Sequence, residues 1–354
     1  MFQRISRVRA LAVTTMLASV ALLSACGGGS DDDVSPSETD QLITNVQVTS
    51  STGAGFPHQV NIYKPKGATR AIVALHGGGG NNVAISYQLG LNSSPTDLTT
   101  STINWAWLEA NHVMLVLPQG QHIESNEGAT TWNNYAMDSG QDDKAFLAAL
   151  SAKIRSDYGV RNVTLMGHSM GGVMTNRMWC ESNSSFDLYV SLAGPASQTF
   201  QTSATCAPGA DPKPYIGIIG DTDPVMETEG NWDQSIWTIN RLIVGITQVS
   251  GPAWVNDEVI NEQVQQQVRA TAMCGESVSA SPTQPGDKYD VWTNCGNKLK
   301  LYRVHGAGHG VSGTSPDGTP SLATQMGFTA SGSFTNGVGL VQVEEDQALT
   351  IGLK

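Results

Sequence analysis

One change of pattern constrains this chain more than any other feature. The apolar run Val163-Thr164-Leu165-Met166 leads into Gly167-His168-Ser169-Met170-Gly171, and then into a helix-compatible stretch from Gly172 to Cys180. A strand, a glycine-flanked turn and a helix in that order make the backbone reverse sharply, which holds the residue at the apex strained and exposed. Ser169 stands at that apex. It is the candidate nucleophile, and His168 beside it is a candidate for substrate contact.

A glycine-rich pentapeptide after a buried strand is also a common loop, so a second feature is needed. Arg70-Ala-Ile-Val-Ala-Leu75 reads as another buried strand and runs into His76-Gly77-Gly78-Gly79-Gly80-Asn81, a loop rich in N–H groups that no side chain covers. In α/β-hydrolases a loop of this type supplies one donor to a developing oxyanion, and the residue after the nucleophile supplies the other. The expected donors are therefore Met170 together with Gly77 or Gly78.

Further strands are expected at 42–48, 59–63, 113–117, 188–191, 214–219 and 298–304, with helices at 105–110, 142–157 and 258–271. The stretch 81–102 is polar, and Phe334 to Leu353 reads as a strand pair. Strands alternating with helices imply an α/β fold, a mostly parallel central sheet with helices on both faces, and with the Ser169 turn and the Gly77 loop this resembles the α/β-hydrolase fold. Between Gln119 and Gly140 no periodicity is visible. Trp132 and Tyr135 stand there among Asn and Gly; Trp132 either lines a substrate cleft or plugs the loop onto the core.

In hydrolases of this architecture the order is nucleophile, acid, histidine, each past the carboxyl end of a strand. Of seven histidines only His305 and His309 follow Ser169. His309 lies in a glycine-flanked loop with room to reach back, whereas His305 sits where the strand ends. Asp221 and Asp223 both follow the strand at 214–219. Asp223 precedes Pro224, which biases it toward an extended conformation, while Asp221 suits a turn cap. Asp223 and His309 are preferred. The implied chemistry is proton transfer from Ser169 to His309, attack on an ester carbonyl and hydrolysis of the acyl-enzyme, with no cofactor and no metal.

The first residues carry Arg4, Arg7 and Arg9, then an apolar stretch ending in Leu23-Ser24-Ala25-Cys26. This resembles a bacterial lipoprotein signal, with residues 1–25 removed, Cys26 lipidated and residues 26–40 an acidic tether too polar to fold. A catalytic domain over 41–354 follows. The resemblance implies export to the outer membrane, with membrane contact through the lipid alone. Loss of the signal lowers the basic count from 19 to 16 against 31 acidic residues, a balance of −15 that disfavours a nucleic-acid partner. Cys180, Cys206, Cys274 and Cys295 remain, an even number that allows three pairings; proximity favours Cys180 with Cys206 and Cys274 with Cys295. A metal site lacks paired C-x-x-C spacing.

Taken together, Leu75-His-Gly-Gly-Gly-Gly-Asn81, Trp132-Asn133, Asp142-Asp143, Gly167-His-Ser-Met-Gly-Gly172, Gly220-Asp-Thr-Asp-Pro-Val225 and Gly306-Ala-Gly-His309 resemble the secreted polyhydroxybutyrate depolymerase-like and feruloyl-esterase-like α/β-hydrolases. The resemblance implies that Asp223, before Pro, is the acid and His309 the histidine. It implies an esterase acting on hydroxyalkanoate oligomers or a polyester, with feruloyl or acetyl esters of plant polysaccharide as the alternative. The lack of a polymer-binding module favours short or soluble substrates. Residues 227–257, with three tryptophans, read as an insertion forming a lid or an extra helix. The reading from another class is a non-catalytic surface protein that keeps the fold.

Overall fold

In the computed structural model, which describes residues 39–122, 130–200, 202, 204–225, 258–314 and 318–354, the longest apolar runs become the inner strands of one sheet. In chain order the strands are β1 (Gln41–Ile43), β2 (Val60–Lys64), β3 (Arg70–Leu75), β4 (Val113–Pro118), β5 (Gln121–His122), β6 (Thr130–Thr131), β7 (Asn162–His168), β8 (Leu188–Leu192), β9 (Tyr215–Gly220), β10 (Tyr289–Asn294) and β11 (Leu299–Val304). Nine of them form the main sheet in the order β1-β2-β4-β3-β7-β8-β9-β11-β10, and β5 pairs with β6 in a small ladder. From β4 through β11 every neighbouring pair is parallel; β1, β2 and β10 join antiparallel at the two edges.

Residues of β3 show why helices must cover both faces. Ala71, Val73 and Leu75 point to one side and Ile72 and Ala74 to the other, all buried. On the first side pack Phe146, Leu147, Leu150 and Ile154 of α3 (Asp143–Tyr158) and Met174, Met178 and Trp179 of α4 (Met170–Glu181). The other side receives Ile85 of α1 (Asn82–Gln88), Leu108 of α2 (Trp105–Ala110), Leu322 of α6 (Leu322–Met326), and Leu340 and Val341 of α7 (Val338–Thr350). Helix α5 (Glu258–Cys274) lies against β9 and β11. Cys180–Cys206 and Cys274–Cys295 are both bonded.

Several local expectations need correction. Phe334 to Leu353 is not a strand pair; it contains α7. The buried positions Leu340, Val341, Glu344, Glu345 and Ala348 follow a helical stripe, but two of them are glutamates, so an apolar count misses the period. The polar stretch 81–102 contains α1, capped by Asn81 Oδ1 accepting from Ala84 N at 2.8 Å. The first strand stops at Ile43, and β10 had no clear signal because its partly exposed edge position leaves a mixed pattern. The supposed long loop 119–140 carries the β5–β6 ladder. Cys26, the signal, the tether up to residue 38 and the whole 227–257 insertion lie outside the described residues.

Candidate active site

The turn between β7 and α4 holds Ser169 at φ 52°, ψ −120°, a conformation L-residues rarely adopt and one that costs about 1–3 kcal/mol. Close packing around it makes glycine necessary. A Cβ on Gly167 would fall 2.1 Å from the Gly171 carbonyl oxygen, so the strand can approach the helix only without a side chain there. Met170 is the first residue of α4. Its N–H therefore has no carbonyl four residues back to meet, and the helix dipole makes that end favourable for negative charge.

Gly77 lies directly against Ser169: a Cβ on it would sit 3.1 Å from the Ser169 Cβ. The loop around it is held by the His76 ring. Gly120 N–H donates to His76 Nε2 at 2.9 Å, so Nε2 is the acceptor and Nδ1–H donates to the Gly77 carbonyl at 2.7 Å. Burial pushes the His76 imidazole down to about 4, which keeps it neutral and this tautomer in place.

On the other side of Ser169, the loops after β9 and β11 are laced together. Thr222 N donates to the Ala307 carbonyl at 3.1 Å, and Gly306 N donates to Asp221 Oδ1 at 2.6 Å. Asp221 therefore caps the histidine loop. Asp223, 1% exposed, holds its own turn through Val225 N at 2.8 Å and accepts from His309 Nδ1 at 2.7 Å. With Nδ1–H so engaged, Nε2 is the His309 nitrogen left to take a proton. His305 is elsewhere: its Nε2 is 3.1 Å from Asp290 Oδ2 on β10.

His168 joins the two halves. Its Nε2 donates to the His309 carbonyl at 2.8 Å, and the two rings lie 4.9 Å apart. Burial, reinforced by the neighbouring His309 ring, lowers its pKa to about 3. The side chain is thus a neutral strut, 7% exposed, between the Ser169 turn and the histidine loop. No hydrogen bond joins Ser169 Oγ to His309 Nε2; bonds of this kind commonly close only in the substrate complex.

Trp132 also departs from the cleft-lining alternative. It is fully buried, with Nε1 donating to the His76 carbonyl at 2.9 Å. Two further residues not assigned to the site by sequence take part. Asn134 Nδ2 donates to the Met170 carbonyl at 2.9 Å, and Asp143 Oδ2 accepts from Asn133 N at 2.5 Å. An aspartate pair opening α3, just past an aperiodic aromatic loop, is the one sequence sign of that network.

By sequence, no protein-family model and no curated protein matches the chain. Among solved structures, it is similar to an acetyl xylan esterase from Aspergillus awamori, with 15% identity, a TM-score of 0.50, and 77% of this chain and 94% of that one covered. A feruloyl esterase module from Clostridium thermocellum aligns at 14% identity and TM-score 0.44, over 77% of this chain and 83% of that one. A siderophore hydrolase from Aspergillus nidulans aligns at 11% identity and TM-score 0.43, over 80% and 93%. The chain has the α/β-hydrolase fold, with its mostly parallel sheet and helices on both faces.

Proposed function

We propose that this protein is a serine esterase that hydrolyses carboxylic esters through an acyl-enzyme on Ser169. The observation that carries the reading is the 2.7 Å bond from His309 Nδ1 to the buried carboxylate of Asp223, in the loops packed against the Ser169 turn. In this mechanism His309 Nε2 takes the Ser169 proton as Oγ attacks the ester carbonyl, and Asp223 stabilises the imidazolium. The N–H groups of Met170 and Gly77 receive the oxyanion, each worth about 3 kcal/mol by analogy with other acyl-transfer sites. His309 then protonates the leaving alcohol, and water, activated the same way, releases the acid.

The motif set supports hydroxyalkanoate oligomers or polyester as substrate. The likeness to an acetyl xylan esterase supports the second reading, acetyl or feruloyl esters of plant polysaccharide. The lipoprotein-like first 26 residues support export with a lipid on Cys26, and two disulfides suit an oxidising compartment.

Labelling with a fluorophosphonate tests the chemistry: an adduct is expected on Ser169 of the folded protein and on no other residue. Absence of that adduct would leave the non-catalytic reading. Hydroxybutyrate oligomers, methyl ferulate and acetylated xylan, each assayed with wild type and Ser169→Ala, then assign the substrate.

A further inference from the structure

Beside the candidate site lies a buried network that the hydrolytic steps do not use. Its centre is Trp132. A buried indole N–H needs some acceptor, and here the acceptor is the carbonyl of His76, in the peptide that ends at the Gly77 nitrogen. None of the described peptide bonds is cis. In a trans peptide the N–H points opposite to the C=O, so fixing the His76 carbonyl fixes the direction of the Gly77 N–H. Gly77 lies against Ser169, and its N–H donates to no protein acceptor among the described residues.

The indole is itself held in place. It stacks over His58 at 6.3 Å and 7°, and His58 is sandwiched against Phe146 at 3.8 Å on its way to Asp143. His58 Nε2 meets Asp143 Oδ1 at 2.6 Å, with both side chains fully buried. The other Asp143 oxygen takes Asn133 N–H and the Ser139 hydroxyl. From the same loop Asn134 grips the Met170 carbonyl. Residues 132–134 thus hold backbone on both sides of Ser169.

Resting on the esterase reading, we infer that Trp132 is a positioning residue for the oxyanion hole, acting through the His76 carbonyl, with the His58–Asp143 pair as its anchor. A tryptophan that merely filled space would need its ring and not its N–H.

The test separates the two. Trp132→Phe removes the N–H and keeps an aromatic ring; benzothienylalanine at 132, introduced by nonsense suppression, replaces N–H by sulfur at nearly constant shape. Steady-state kinetics on a soluble ester, inhibition by an alkylboronic acid and the Gly77 amide resonance are measured for both. A drop in kcat of about 10- to 100-fold is expected, somewhat less than deletion of a donor outright. KM should stay within about twofold, boronic acid affinity should fall in proportion to kcat, and the Gly77 resonance should move. Wild-type kcat and boronic acid affinity in the benzothienyl protein, or a loss confined to KM or thermal stability, overturns the inference. If wild type hydrolyses no ester, the esterase reading fails, and the Gly77 resonance alone then decides the positioning: unmoved by the sulfur replacement, it refutes it.

Discussion

The two ends of β3 solve opposite problems. At the carboxyl end, past Leu75, the chain must bring backbone against backbone, and it does so with glycine: Gly77 against Ser169, and Gly167 against Gly171. At the other end Arg70, 4% exposed, lies under α7 and meets two fully buried carboxylates, Glu345 Oε2 at 2.6 Å and Glu344 Oε1 at 3.2 Å. Thr164 and Lys354 complete that cluster, at 2.9 Å from Glu344 and 3.1 Å from Glu345. One end spends structural strain to hold the Ser169 hydroxyl at its turn. The other buries charge that is tolerable only while every partner stays. Damage at the first should therefore appear in turnover, and at the second in stability.

The largest effect is expected at the catalytic end. Asp223→Asn should lower kcat by about 10³- to 10⁴-fold with little change in thermal midpoint, because the amide favours the wrong His309 tautomer. Asp221→Asn, at a side chain that bonds only the Gly306 N–H among the described residues, should cost about tenfold or less, in line with loss of one neutral-donor hydrogen bond of about 1.5 kcal/mol. Equal losses in the two variants would break the division of roles between these neighbouring aspartates.

Next in size is Arg70→Met. It leaves the buried Glu345 carboxylate without its main counter-charge and Glu344 without a hydrogen-bond donor, and breaking a buried pair in this way costs about 3–5 kcal/mol. The urea midpoint should fall accordingly, while kcat per folded molecule stays at the wild-type value. A matching fall in kcat would mean that the two ends of the strand are coupled.

The same contrast explains what could be read beforehand. The Ser169 turn and the Gly77 loop were legible because no other residue type fits where two backbones touch, so the glycines are written into the sequence. Helix α7 was not, because Glu344 and Glu345 occupy core positions and only Arg70, some 270 residues earlier in the chain, makes them acceptable there. His168 and Trp132 illustrate the same limit within the site. Their residue types suit substrate contact, but burial and the carbonyls of His309 and His76 give them structural work that spacing cannot reveal. Asp221 and Asp223 are both candidates by sequence, with Asp223 preferred for the proline after it, and in the fold Asp223 meets His309 while Asp221 takes the Gly306 N–H.

A pH titration sharpens the comparison further. Burial, with repulsion from Glu345, raises the Glu344 carboxyl from 4.5 to about 8, against the opposing pull of Arg70. Folded protein thus holds that proton where the unfolded chain has released it. The contribution of this group is fully present below the unfolded value and is lost as pH climbs from about 4.5 through about 8. Glu344→Gln removes the titrating group while keeping its shape. It should flatten the decline in unfolding free energy over that window and leave the variant the more stable of the two at pH 8. An unchanged slope would place the origin of the decline elsewhere.

The smallest effect should come from the second late histidine. His305 sits only four positions before His309 and, by residue type and by following the last parallel strand, is equally able to act as a base. Its ring nevertheless faces the β10 edge, 34% exposed and paired with Asp290, which also takes Arg303. A contact that open is worth about 0–1 kcal/mol. His305→Asn should shift the urea midpoint within that range and change kcat less than about twofold, equivalent to roughly 0.4 kcal/mol of barrier. The two histidines differ in which way their loop turns after Val304: the Gly306 bond to Asp221 carries the chain away from the edge hairpin and delivers His309, not His305, to Asp223. Loss of turnover in His305→Asn as deep as in Asp223→Asn would show that this turn is not what chooses between them.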